Sequence, residues 1–168
     1  ADVQFDLGQD EMARVALLRA LRLKPAVATY HLRLAMQLAQ CGRYLEAEQV
    51  YRGLLTHGAE KLPQAHVGLA QVLISQGRIE EALPPLARAK ELDPGLIDVY
   101  LAGARLKFLS GNLKEAWEDY EWRKRHIDFT PPHLPVPAWR GEALQSRSIL
   151  LLGEQGAGDT LQFLRYVP

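Results

Sequence analysis

Cysteine is almost absent: Cys41 stands alone in 168 residues, so no disulfide can form within the chain, and a reducing, cytoplasmic setting fits. Net charge is missing as well, because 20 lysines and arginines meet 20 aspartates and glutamates. That balance disfavours a nucleic acid or an anionic membrane surface as a generic partner. No apolar run nears the ~18–20 residues that cross a bilayer, and the opening residues do not read as a secretory signal. No two of His31, His57, His66, His126 and His133 have the local spacing of a metal site, so neither a metal nor a cofactor is expected in this stretch. The thiol of Cys41 has no context that would lower its pKa, and it is expected to be buried or half-buried and inert. What is plentiful is apolar surface, at 48% of residues, which suffices for a continuous core.

That apolar content is periodic. Between Pro63 and Leu96 it recurs at helical spacing through Val67, Ala70, Val72 and Leu73, then through Ile79, Ala82, Leu83, Leu86 and Ala89. Gly77 separates the two runs and can take the left-handed conformation that ends a helix; Pro94 cannot continue one. The pattern is a helix–turn–helix hairpin, and it repeats. Turn glycines fall at Gly8, Gly42, Gly77 and Gly111, spaced 34, 35 and 34 residues apart. Alanine follows each at a fixed distance (Ala13, Ala47, Ala82, Ala116), then a large residue (Leu17, Tyr51, Leu86, Tyr120); Ala35, Ala70 and Ala104 precede the complete turns. Small residues at fixed sites let antiparallel helices approach, and the large ones fill the gap between neighbouring hairpins. Two local features stand out. Pro84 and Pro85 fall inside a second helix, where each carries a penalty of ~3 kcal/mol in a helix interior, so its first turn is expected to loosen without breaking. The last second helix reads as long, Leu113 to His126, with a charged, solvated face.

With a period near 34 and this content, GRYLEAEQVY (42–51), GRIEEALPPLARAKELDP (77–94) and GNLKEAWEDY (111–120) resemble the tetratricopeptide repeat family. The resemblance implies an all-α, right-handed superhelical solenoid of about three and a half helix–turn–helix repeats over residues 1–129. It also implies that the first helix of each repeat lines a concave groove. The matching positions are Thr29, Leu32, Met36, Ala39 and Gln40; Gln64, Val67, Gln71, Ile74 and Ser75; and Asp98, Leu101, Arg105, Phe108 and Leu109. Such a surface, polar with an apolar stripe, suits a peptide or helix laid in a groove, and a protein or peptide is the expected partner. Leu32 and Met36 occupy the leading positions of the basic clamp by which some family members hold a C-terminal carboxylate, so that clamp is missing. Arg33, Gly68 and Ala102 stand where the O-linked N-acetylglucosamine transferases carry an asparagine ladder.

Composition changes at Thr130. Pro131, Pro132, Pro135 and Pro137 form an extended linker over 130–147. Residues 148–168 then read as a short βα unit: an apolar run from Ser148 to Leu152, a turn from Gly153 to Gly158, and an amphipathic helix from Asp159. The glycines either admit a phosphate to a helix N-terminus or make a tight turn that Asp159 caps. PAWRGEAL (137–144) and ILLLGEQGAGDTLQFLRYVP (149–168) resemble the junction of bacterial proteins that join tetratricopeptide repeats to a heptosyltransferase-like glycosyltransferase. By that resemblance Asp159 is a proposed catalytic base of the parent enzyme, and the repeats select the acceptor of a sugar from a nucleotide-sugar donor; Glu154-Gln155 departs from the family's turn. The strand has no partner within the chain, so it is expected to be disordered, folded onto the last repeat, or paired with a second copy in a homodimer. Both ends read as cut, and a longer parent protein is expected.

Overall fold

The structure is a computed structural model that describes residues 12, 15–19, 21–24, 27–126, 139, 141–150 and 153. The chain divides into two compact units, Ala1–Thr130 and Pro131–Pro168. In the first, a helical stretch through residues 15–19 and 21–23 precedes six helices. These are α1 (Ala28–Gln40), α2 (Tyr44–Thr56), α3 (Pro63–Ser75), α4 (Ile79–Leu92), α5 (Ile97–Leu109) and α6 (Leu113–Tyr120), followed by a 3-10 turn, Glu121–Arg125. They pair as the hairpins α1/α2, α3/α4 and α5/α6.

Each hairpin turns in the same way. Gly42, Gly77 and Gly111 have φ of +74°, +75° and +78°. The amide after each glycine reaches back to a carbonyl five residues earlier: Arg43 to Leu38 at 2.9 Å, Arg78 to Leu73 at 3.0 Å, Asn112 to Lys107 at 2.9 Å. The glycine amides bond to Ala39, Ile74 and Phe108. This double closure satisfies carbonyls that a helix end leaves open, and it needs a residue without a Cβ at positive φ. Gly53 is the opposite case, a glycine inside α2 with open space where a Cβ would go. Gly77→Ala is therefore expected to cost about 1 kcal/mol, and Gly53→Ala to add about 0.5–1 kcal/mol. Urea midpoints of the two variants should move in opposite directions; movement in the same direction would contradict this account of the turns.

The repeated alanines are the closest points of the packing. Ala35, Ala47, Ala70, Ala82 and Ala116 have no exposed surface, and Ala104 has 1%. Around Ala35, Ala47, Ala70 and Ala82 lie Leu34, Leu38, Leu54, Leu69, Val72 and Leu73 in one continuous core. Tyr51 of α2, 2% exposed, reaches Gly68 of α3, where a Cβ would stand 2.3 Å from the ring. Gly103 of α5 is less tightly covered: a Cβ there would stand 3.0 Å from Asp119 Oδ2 of α6 and 3.9 Å from Leu86 of α4.

Pro84 and Pro85 do not interrupt α4, which runs unbroken from Ile79 to Leu92. Without N–H groups they leave the carbonyls of Glu80 and Glu81 without helical partners. Both glutamates are exposed, so water can take over those bonds. The long last helix expected from the sequence is instead split: α6 ends at Tyr120 and tightens into the 3-10 turn. The tightening brings Trp122 flat onto Tyr100 of α5, with ring centroids 3.4 Å apart and planes within 6°. Lys90 lies over Tyr100 at 5.1 Å and Arg125 over Trp122 at 3.9 Å, making a column of two rings between two cations. The charges of this segment are also engaged rather than simply solvated: Asp119 holds Lys107, and Glu121 holds Arg123 and Lys124.

Of the second unit only Trp139, residues 141–150 and Gly153 are described, and none of them forms a strand. Residues 148–150, the start of the expected strand, are irregular, with Ile149 half-buried and Leu150 61% exposed. Trp139 Nε1 donates to the Glu142 carbonyl at 2.7 Å, and Gln145-Ser146 form a turn at positive φ. Residues 151–152 and 154–168, which hold the rest of the expected glycine turn and Asp159, lie outside the described residues, as does most of the proline linker.

Candidate functional site

The first helices of the hairpins touch one another laterally, α1 against α3 and α3 against α5, whereas α2, α4 and α6 do not meet. Each first helix also leans on the second helices beside it: α3 on α2 and α4, α5 on α4 and α6. One face of α1, α3 and α5 therefore stays open, and these three faces adjoin.

Burial identifies that face. On α1 the exposed residues are Thr29, Arg33, Met36 and Gln40; on α3, Gln64 and Gln71; on α5, Asp98, Arg105 and Leu109. Each set recurs every three, four or seven residues, the spacing of a single helical stripe. The stripes also share a register: Thr29, Gln64 and Asp98 occupy one repeat position, and Met36, Gln71 and Arg105 another. Of the residues read from the sequence as groove-lining, Thr29, Met36, Gln40, Gln64, Gln71, Asp98, Arg105 and Leu109 are thus accessible. Leu32, Leu101 and Phe108 are half-buried, and Phe108 is engaged edge-on by Trp117 at 5.0 Å.

Val67 and Ile74 do not belong to that surface. Each is 3% exposed, Val67 packed with Ala89, Val99 and Ala102, and Ile74 in the main core. Their register position has helices on both sides in the middle hairpin, so both are closed off there. The expected apolar stripe is interrupted at α3, and what crosses the face is amide-rich: Gln40, Gln64 and Gln71. A glutamine can donate to and accept from a peptide main chain at once.

The strongest polar feature was not legible as a site. Glu48 of α2 is 8% exposed, yet it accepts from Arg52 Nε at 2.8 Å, Gln76 Nε2 at 3.0 Å and Arg78 Nη1 at 2.7 Å. Arg78 grips Glu81 as well, at 2.5 Å, and Arg52 approaches Glu81 at 3.7 Å. The cluster ties the first hairpin to the turn of the second. Burial pushes the Glu48 carboxyl up, but hydrogen bonds from Gln76, Arg52 and Arg78 outweigh it and hold the group below its ordinary value. A signal for it does exist: six residues after the turn glycine the other hairpins carry Leu83 and Trp117, so an acid at Glu48 stands out of pattern.

Cys41 is exposed rather than buried, because it is the cap residue projecting from the end of α1. His31 and His66 are both half-buried, and His66 Nε2 lies 2.9 Å from the Glu60 carbonyl oxygen. Among the described residues no three His, Cys, Asp or Glu side chains gather to hold a metal, and no helix is long and apolar enough to cross a membrane.

No protein-family profile matches the chain. Protein FlbA of Caulobacter vibrioides is 28% identical over 116 residues, which is 66% of this chain and 19% of that protein. The chain thus spans about a fifth of the length of the curated relative it matches. Among solved structures, TTC0263, a thermophilic TPR protein of Thermus thermophilus, superposes with a TM-score of 0.65 at 18% identity, covering 74% of this chain and 70% of that one. MamA of Desulfovibrio magneticus RS-1 superposes with a TM-score of 0.59 at 19% identity, covering 73% and 71%. These likenesses establish a tetratricopeptide-like solenoid fold. The glycosyltransferase resemblance of residues 137–168 finds no support among them.

Proposed function

We propose that the chain is a protein-interaction scaffold that holds a peptide or helix in the groove formed by α1, α3 and α5. The observation that carries this reading is the alignment of three solvent-open stripes on three helices in lateral contact. A surface of this kind is large, built on rigid elements and supplied with adaptable amide groups, so it can take a chain segment along its length. A cytoplasmic setting belongs to the same proposal and rests on the low cysteine content of the sequence. The enzymatic reading of the parent depends on Asp159, outside the described residues, and no observed contact carries it further. The same holds for pairing of two copies through residues 148–168.

The test compares surface with core. Met36→Ala and Gln71→Ala should each weaken capture of a peptide ligand about three- to tenfold, while the melting temperature stays within about 2 °C. Val67→Ala should instead lower the melting temperature and alter binding only through lost structure. Unchanged affinity in both surface variants would remove the groove from consideration.

A further inference from the structure

Charge is distributed unevenly over the helices. The second helices are rich in it, and most of it is neutralised: Arg52 by Glu48, Arg88 by Glu91, Asp119 by Lys107. The first helices carry only Arg33, Asp98, Arg105 and Lys107. Lys107 is turned to the back of its helix by Asp119 at 2.8 Å and Glu115 at 3.7 Å. Arg33 and Arg105 are exposed on the open stripes, and among the described residues neither has an acidic partner. Among the described residues, two guanidinium groups without an acidic partner thus flank the amide-rich middle of the groove.

Resting on the groove reading above, we infer that the occupant is an acidic segment of a partner protein, extended across α1, α3 and α5, with one carboxylate at Arg33 and a second at Arg105. Adjacent helices pack about 8–10 Å apart, so α1 and α5 lie roughly 16–20 Å apart. An extended chain advances about 3.3 Å per residue, which sets the two acidic side chains about five or six residues apart. Between them Gln71 meets the main chain rather than a side chain, so the intervening residues are unrestricted in charge and free to vary. Arginine is suited to both ends, because its planar fork donates two parallel hydrogen bonds to a carboxylate. Asp98 shares the open stripe of α5 with Arg105, about 10 Å away along the helix, so it stands to one side of the extended chain's path and disfavours an acidic group on that side.

The experiment is a selection of random displayed peptides of about twelve residues on the full chain at about 50 mM salt, where charge is least screened. The expected products share two acidic residues five or six positions apart. Selection on Arg33→Ala should lose the preference at one of those positions, and selection on Arg105→Ala the preference at the other. A synthetic peptide of the selected sequence should bind each variant about five- to tenfold more weakly, and should weaken further as salt is raised. Products without the acidic pair, or a preference unmoved by both arginine variants, would overturn the acidic occupant. If such products still depend on Met36 and Gln71, the groove itself stands; if they depend on neither, or if nothing is selected, both readings fall. A uridylate decamer that binds through the two arginines, in a selection yielding no acidic peptides, would assign the charges to nucleic acid and overturn the proposal equally.

Discussion

Gly68→Ala is expected to lower the stability of the solenoid by about 3 kcal/mol, at the upper end of the range for overpacking a well-filled core. The position is not a turn, and no unusual backbone angle is at stake. The cause is the ring of Tyr51, whose Cζ, hydroxyl and Cε1 would lie 2.3, 2.4 and 2.5 Å from the added methyl. Tyr51 has no room to yield, since it is 2% exposed and wedged where α2 meets α3. Its burial is deep enough to push the phenol up to about 12. The discriminating measurement is a double-mutant cycle in urea. Leucine at position 51 lacks the ring atoms that collide, so Gly68→Ala introduced with Tyr51→Leu should cost less than half of what it costs alone. Additive losses, with a coupling under about 0.5 kcal/mol, would show that the glycine serves some purpose other than admitting this ring.

The Gly68–Tyr51 contact marks where the sequence stops being legible. Position by position, the repeat was readable: the glycines at 42, 77 and 111, the alanines that follow them, and the start of α3 at Pro63 are all where the periodicity requires. A repeat specifies what its copies have in common. Tyr51 facing Gly68 is a pairing between one hairpin and the next, and the next such pair of positions holds Leu86 and Ala102 instead. Glu48 against Arg78 is also a pairing between hairpins, in which Glu48 departs from its counterparts, whereas Arg43 stands where Arg78 does. The groove suffered from the reverse difficulty. Val67 and Ile74 share a register with Leu32 and Phe108, but the middle hairpin is covered from both sides, so equivalent positions are not equally open. The split of the last helix depended on a tertiary contact, Trp122 on Tyr100, across residues far apart in the chain.

Glu48→Ala is expected to cost about 1–2 kcal/mol. This is less than the ~3–5 kcal/mol of breaking a fully buried ion pair, because Arg78 and Arg52 remain a third to a half exposed and water can screen them. The change leaves the Gln76 amide and one side of the Arg78 guanidinium without their acceptor at the junction of two hairpins. Acid should expose the same dependence. The Glu48 carboxyl is held below its ordinary value of 4.5, so its contribution is complete above that pH and disappears as the pH falls through the lower folded value. Glu81 follows the same direction, held down chiefly by the hydrogen bond from Arg78. Urea midpoints of the native chain should therefore fall below about pH 4.5, and in Glu48→Gln the fall should be shallower, since one of the carboxylates held down, alongside Glu81 and Glu121, no longer titrates. A parallel pair of curves would mean that Glu48 titrates as it does in the unfolded chain and ties nothing together. If instead the midpoint drops without a change in the cooperativity of the transition, the two hairpins still unfold as one unit and the alanine contacts, rather than the carboxylate, couple them. A transition that splits in Glu48→Ala would assign that coupling to four side chains, Glu48, Arg52, Gln76 and Arg78, in a solenoid whose described hairpins otherwise hold one another mainly by apolar contact, with Lys90 over the Tyr100 ring between the second and third.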